Sequence, residues 1–250
     1  MPAWSWAGAS CRGVSHAKTE TRKQDALSCF SANDGGVLVA IVSDGAGSAS
    51  HGGEGASLVC RTLAGALRDH FRTGAGMPDD ERIWQWVDDA RDRIALAAAQ
   101  RALSPRDFAA TMVMIASDGD QTVVAHVGDG AAVARVDGEW KAVSWPEQGE
   151  YASTTFFVTD DSGPRMRISR HDAAVDALAV FTDGIERLAL DLGREEAFQP
   201  FFRGMIRPLD GKATSGPDRD LGFALAAYLD SPAVCERTDD DKTLILAVRR

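Results

Sequence analysis

The sequence predicts an α+β protein whose sheets are covered by helices. Three observations predict it: two long helical periods early in the chain, a run of strand-like segments in its middle, and apolar β-branched runs that enter Asp-Gly turns towards both ends. Repeated βαβ units would alternate strand and helix throughout, which this order does not do.

Residues 37–42, VLVAIV, lie between NDGG and SDGAG and mark a buried strand followed by a glycine-rich loop. From Gly53 the apolar positions Ala56, Val59, Leu63, Leu67 and Phe71 recur at steps of three and four, so GGEGASLVCRTLAGALRDHF is an amphipathic helix. Asp79 and Asp80 cap a second helix, in which Ile83, Val87, Ala90, Ile94 and Ala97 keep the period to about Leu103. Trp84 and Trp86, on or beside its apolar stripe, read as packing residues.

The period then changes. FAATMVMIAS, TVVAHVGD, AAVARV and KAVSW are strand-like runs separated by turn signals, an antiparallel meander in which Asp118, Asp120 and Asp137 are turn residues. Around 146–165 turn residues flank one apolar run, predicting a loop or flap that carries a short strand. ALAVFT, 177–182, is another buried strand, entering TDG; EEAFQPFFRGMI and DRDLGFALAAYL are helical; and TLILAV, 243–248, closes the chain as a strand. The whole, 1–250, reads as one domain.

With 44% apolar and 26% charged residues the 250-residue chain has an ordinary globular composition, and it is long enough to bury roughly 70% of its unfolded surface. Thirty-seven acidic against 27 basic residues give a net charge of -10, which argues against nucleic acid or an anionic membrane as the main partner. The four cysteines form no C-x-x-C pair, so neither a zinc cluster nor a redox motif is indicated, and they read as reduced thiols. MPAWSWAGAS has no basic segment leading an apolar block, and no stretch reaches the ~18 apolar residues of a membrane helix, so the expected compartment is the cytoplasm.

An aspartate recurs at strand ends: Asp44 after VLVAIVS, Asp129 after VVAHVG, Asp183 after LAVFT, and Asp240 shortly before TLILAV. Carboxylates brought together would repel one another and lose hydration, so such a cluster calls for a cation. Oxygen-only ligation selects Mg²⁺ or Mn²⁺, and the glycines after Asp44 and Asp183 would let backbone carbonyls approach the ion.

Here the order GVSHAKTETRKQDA, VLVAIVSDGAGSASHGGEGAS, FAATMVMIASDGDQTVVAHVGDGAAVARV, LAVFTDGIERL and DDKTLILAV resembles the metal-dependent protein phosphatases of type 2C, with GVSH and QDA similar to a divergent bacterial subgroup. The resemblance spans about residues 8–248, although 190–235 carries none of its signal. It implies a four-layer α/β/β/α sandwich of two antiparallel sheets flanked by helices. It further implies that Asp25, Asp44, Asp183 and Asp240 bind two Mn²⁺ or Mg²⁺ ions, with Asp44 bridging, Gly45 lending its carbonyl and Asp129 helping to hold a third. Asp241 takes the Asn position of the family's DN-x-T ending.

Three departures bear on substrate. Glu20 stands where the family has a phosphate-contacting arginine, Gln24 where it has Glu or Asn, and GDGAA replaces GDSR. His16, Arg22 or Lys18 could take over the phosphate contact, with His16 preferred, its alternative being a structural histidine. The implied activity is hydrolysis of phosphoserine and phosphothreonine in a phosphorylated protein through a metal-bridging water. His16 or His51 would protonate the leaving oxygen, although His51 reads first as an exposed loop residue. No cysteine is followed six positions later by arginine, and no Walker loop, G-x-S-x-G elbow or complete G-x-G-x-x-G occurs. Two other readings compete: a weak or inactive module of the same fold that binds a phosphorylated partner, and a sugar- or nucleotide-binding domain, which requires the Asp44 and Asp183 loops to lie far apart.

Overall fold

The computed structural model describes residues 2–147, 155–212 and 214–250. In chain order the elements are β1 (Trp4–Cys11), α1 (Val14–Lys18), β2 (Ala26–Ala32), β3 (Val37–Ser43), α2 (Gly52–Arg72), α3 (Asp80–Ala99), β4 (Met112–Ser117), β5 (Thr122–Val127), β6 (Ala131–Val136), β7 (Glu139–Ser144), β8 (Arg167–His171), β9 (Ala177–Phe181), α4 (Glu186–Ala189), β10 (Leu190–Asp191), β11 (Glu196–Ala197), α5 (Gln199–Asp210), β12 (Gly216–Pro217), α6 (Arg219–Leu229), α7 (Pro232–Cys235) and β13 (Lys242–Arg249).

Two large sheets result, ordered β12-β1-β13-β9-β6-β7 and β2-β3-β4-β5-β8. Their ladders are antiparallel except for β1 with β12. The period-2 alternation of each strand divides three cores. In β3, Val37, Val39 and Ile41 face helices α2 and α3, while Leu38, Ala40 and Val42 face the other sheet. In β13, Leu244, Leu246 and Val248 face the α5 and α6 side, while Ile245 and Ala247 face inward. Strands buried on both faces explain why they read as unbroken apolar runs, and the layers are α/β/β/α as expected.

Both long helices form where the period places them. Asp79 caps α3, its side chain accepting from the Arg82 amide, and Asp218 caps α6 by accepting from Leu221. Trp86 is core, but Trp84 is exposed, so only one of the two tryptophans packs as expected. The helix expected from Glu195 starts at Gln199, after the short pair β10 and β11.

The middle of the chain is not a single meander. β4 and β5 pair in one sheet and β6 and β7 in the other, and the chain changes sheet at Gly128–Gly130. Gly128 has φ +104°, and a Cβ on Gly130 would lie 2.8 Å from Val113 Cγ2 and 2.9 Å from Phe181 O. Only glycine lets the backbone cross so tightly between two sheets.

Of the predicted flap, residues 148–154 lie outside the described residues. Its described part holds no strand beyond an isolated bridge at Thr155. Val158 is instead fully buried, its N–H donating to Ala110 O at 2.9 Å, so the apolar run anchors onto the helix-facing core.

Register decides where the site falls. Ala26 pairs with Ser43, so Asp25 and Asp44 sit at one end of the second sheet. Phe181 pairs with both Ala131 and Leu244, so Asp129, Asp183 and the 240–241 pair collect at one end of the first.

Candidate metal centre

Asp25 is buried between strands. Its Oδ2 accepts from Thr182 Oγ1 at 2.8 Å and from Thr243 Oγ1 at 2.6 Å, while its Oδ1 is buried without a hydrogen-bond partner. Burial, together with the nearby Asp241, pushes its carboxyl up to about 6 against the hydrogen bonds that lower it.

Asp44 follows β3, where its N–H donates to Thr111 Oγ1 at 3.0 Å and its carbonyl accepts from Thr111 N at 2.8 Å. Burial raises its carboxyl well above the usual range, and the charges of Asp25, Asp183 and Asp240 raise it further. Asp183 is raised in the same way by burial and then by Asp129, Asp240, Asp25 and Glu186. Asp129 is raised by burial and by Asp240, with Thr155 Oγ1 donating to its Oδ2 and its Oδ1 left without a partner.

The Asp44 and Asp183 loops therefore face each other, which removes the reading that needs them far apart. Among the described residues no three carboxylate, imidazole or thiol groups are closed around a single point tightly enough to hold an ion as they stand. The carboxylates are instead gathered within coulombic reach, as mutually repelling groups are. The donors fit a hard divalent ion: they are oxygens, and Asp25 Oδ1, Asp129 Oδ1 and Gln24 Oε1 are buried with unused acceptor capacity.

Backbone approach shapes the rim. A Cβ on Gly45 would strike the backbone of Gly52, and one on Gly184 would strike the Asp241 carbonyl oxygen. The Gly45 amide donates to Gln24 O at 3.3 Å, tying the Asp44 loop to the Asp25 segment.

Asp241 spends its carboxylate on backbone amides. It is buried, accepting from Gly13 N at 2.6 Å, Gln24 N at 2.5 Å and Asp25 N at 3.3 Å, while Asp240 is partly exposed and its Oδ1 accepts from the Asp241 amide. Asp241 thus clamps the 13–25 segment onto the start of β13. The family's DN-x-T pattern gives Asp241 only the Asn position, and the Thr182 and Thr243 hydroxyls on Asp25 are visible only in the structure. The signal available was a threonine flanking each acidic turn, in FTDG and DDKT.

His16 is in that segment too. Its Nδ1 lies 2.9 Å from Asp241 Oδ1 and its side chain is only 16% exposed. Arg22 and Lys18 are exposed. His51 does not join the cluster; its ring stacks on Phe108 with centroids 5.0 Å apart and its Nδ1 meets Ser50 Oγ at 2.9 Å, so it is a packing residue rather than the exposed one expected.

A model of the family described as "Protein phosphatase 2C" matches residues 12–226. The chain belongs to the protein phosphatase 2C family. This phosphatase 2C chain is 36% identical over 249 residues to Serine/threonine-protein phosphatase 3 of Escherichia coli (strain K12), a match covering 98% of each. Its fold is shared with a bacterial serine phosphatase (TM-score 0.65, 16% identity, 97% and 96% of the two chains) and with PppA of Pseudomonas aeruginosa (0.65, 16%, 99% and 98%). It is shared also with the catalytic domain of the serine/threonine protein phosphatase PstP, solved in complex with two manganese ions (0.63, 13%, 100% and 99%).

Proposed function

We propose that the chain is a divalent-metal-dependent protein phosphatase that hydrolyses phosphoserine and phosphothreonine in phosphorylated proteins. The observation that carries this reading is the convergence of Asp25, Asp44, Asp129, Asp183 and Asp240, where burial and neighbouring charge raise the carboxyls of Asp25, Asp44, Asp129 and Asp183. Asp25, Asp44, Asp183, Asp240 and the Gly45 carbonyl would hold two Mn²⁺ or Mg²⁺ ions, and Asp129 would serve a third. When bound, such ions lower the pKa of a nucleophilic water and neutralise the phosphoryl dianion.

The chain's own residues supply the rest. Thr182 and Thr243 fix Asp25 by Oδ2 and leave Oδ1 for the ion. Asp241 holds the segment that carries His16, and because Nδ1 faces Asp241, Nε2 is the nitrogen that can pass a proton to the leaving oxygen. His16 and Arg22 approach the substrate from the same segment. No helix of the described residues is long and apolar enough to cross a membrane, and all four cysteines are free, which suits a reducing cytoplasm.

Chelator-stripped protein should hydrolyse an aryl phosphate and a phosphoserine peptide only when Mn²⁺ or Mg²⁺ is returned, and Asp44→Asn should abolish turnover. Metal-independent turnover would reject the reading. Tight Mn²⁺ binding without turnover on any phosphopeptide would make the chain a binding module instead.

A further inference from the structure

A cavity of about 460 Å³ opens beside Asp183 and Asp240, and its wall carries two arginines, Arg187 and Arg237. Arg187 lies one turn beyond Asp183, on α4, and Arg237 three residues before Asp240, after α7. Both are exposed, and among the described residues neither forms an ion pair or a side-chain hydrogen bond. Arg135, Arg167 and Arg170, by contrast, are each committed to carboxylates. Glu186, Glu236 and Asp239 also line the cavity, yet they do not neutralise the two guanidinium groups by contact.

His16, Lys18 and Arg22 are absent from this wall. His16 faces Asp241, so the cations placed beside Asp183 and Asp240 are the two arginines. A guanidinium presents a planar fork of N–H donors that matches two oxygens of a phosphate and stays charged at any working pH. We infer that Arg187 and Arg237 are substrate-binding residues that hold the oxygens of the phosphoryl group while it lies against Asp183 and Asp240. This rests on the phosphatase reading and names the cations of that same site.

Inorganic phosphate is the probe. It is titrated calorimetrically into the full-length Mn²⁺-loaded protein, as wild type, Arg187→Ala, Arg237→Ala, the double alanine variant and the double lysine variant. The double alanine variant should bind phosphate about tenfold more weakly, with the lysine variant between the two, while the Mn²⁺ titration is unchanged. KM for a phosphoserine peptide should rise by more than kcat falls. An unchanged phosphate affinity in the double alanine variant would overturn the assignment. A wild type that binds Mn²⁺ and phosphate but turns nothing over would sink the phosphatase reading, while the assignment would still be decided by the titration.

Discussion

His16 Nδ1 stands 2.9 Å from Asp241 Oδ1, and the same carboxylate accepts from the amides of Gly13 and Gln24. One buried side chain thus fixes the loop that delivers both Asp25 and His16. Asp241→Ala leaves these amides buried and unpaired, so it should cost about 3 kcal/mol in urea unfolding and weaken Mn²⁺ binding. Asp241→Asn keeps one accepting oxygen and should cost less. Adding His16→Ala to Asp241→Ala should cost less than the sum of the two single changes, because both break one clamp.

Asp44→Asn should separate stability from activity. In the metal-free protein burial and then Asp25, Asp183 and Asp240 raise the Asp44 carboxyl, so ionising it there is costly and the neutral amide escapes that cost. Thermal unfolding in chelator should show the variant more stable than wild type by on the order of 1 kcal/mol, and Mn²⁺ should stabilise only the wild type. A less stable metal-free variant would contradict the electrostatic account.

Gly184→Ala should be severe for its size. The added methyl has no space because the Asp241 carbonyl oxygen occupies it, so β13 and the turn after β9 must part. A loss of about 2 kcal/mol is expected, together with weaker Mn²⁺ binding, since Asp183 and Asp240 ride on the two segments.

His126 supplies a pH test at a residue that is not one of the clustered aspartates. It is buried, with Nδ1 2.6 Å from Ser144 Oγ and Arg167 beside it, and burial followed by the Arg167 charge lowers its pKa from 6.5 to about 3. The unfolded chain therefore binds a proton that the folded one refuses between those values. Stability from this residue is complete above pH 6.5 and is lost as pH falls towards 3. Asp25, raised from 3.8 to about 6, pulls the other way in metal-free protein, gaining stability as pH falls through that window. The contrast with His126→Asn isolates the histidine: between pH 7 and pH 5 the wild type should lose about 2 kcal/mol more than the variant.

How much of this was legible depended on which forces leave a one-dimensional trace. Strands β3, β9 and β13 and helices α2 and α3 were, because continuous burial or a 3.6-residue period imposes a residue pattern. β1, reading WSWAGASC, and β2, half-buried along its length, carry weaker patterns and went unrecognised. The division into two sheets was hidden at Gly128–Gly130, where three residues that look like a hairpin turn carry the chain across. Among the site residues, the strand-end aspartates advertised themselves. Nothing in the pair Asp240 and Asp241 says which carboxylate will be buried under the loop, and Arg187 and Arg237 look like ordinary surface charges until the cavity beside them is seen.

β1 lies between β12 and β13, paired along its whole length with the last strand, and the Ala3 and Arg250 backbones bond each other. During vectorial synthesis β1 must therefore wait for β13, its principal neighbour, which is made long after it. The helix-covered sheet of β2–β5 can begin to form earlier. Asp240 and Asp241 arrive just ahead of that neighbour, so the aspartates of the two sheets can converge only once β13 has been made.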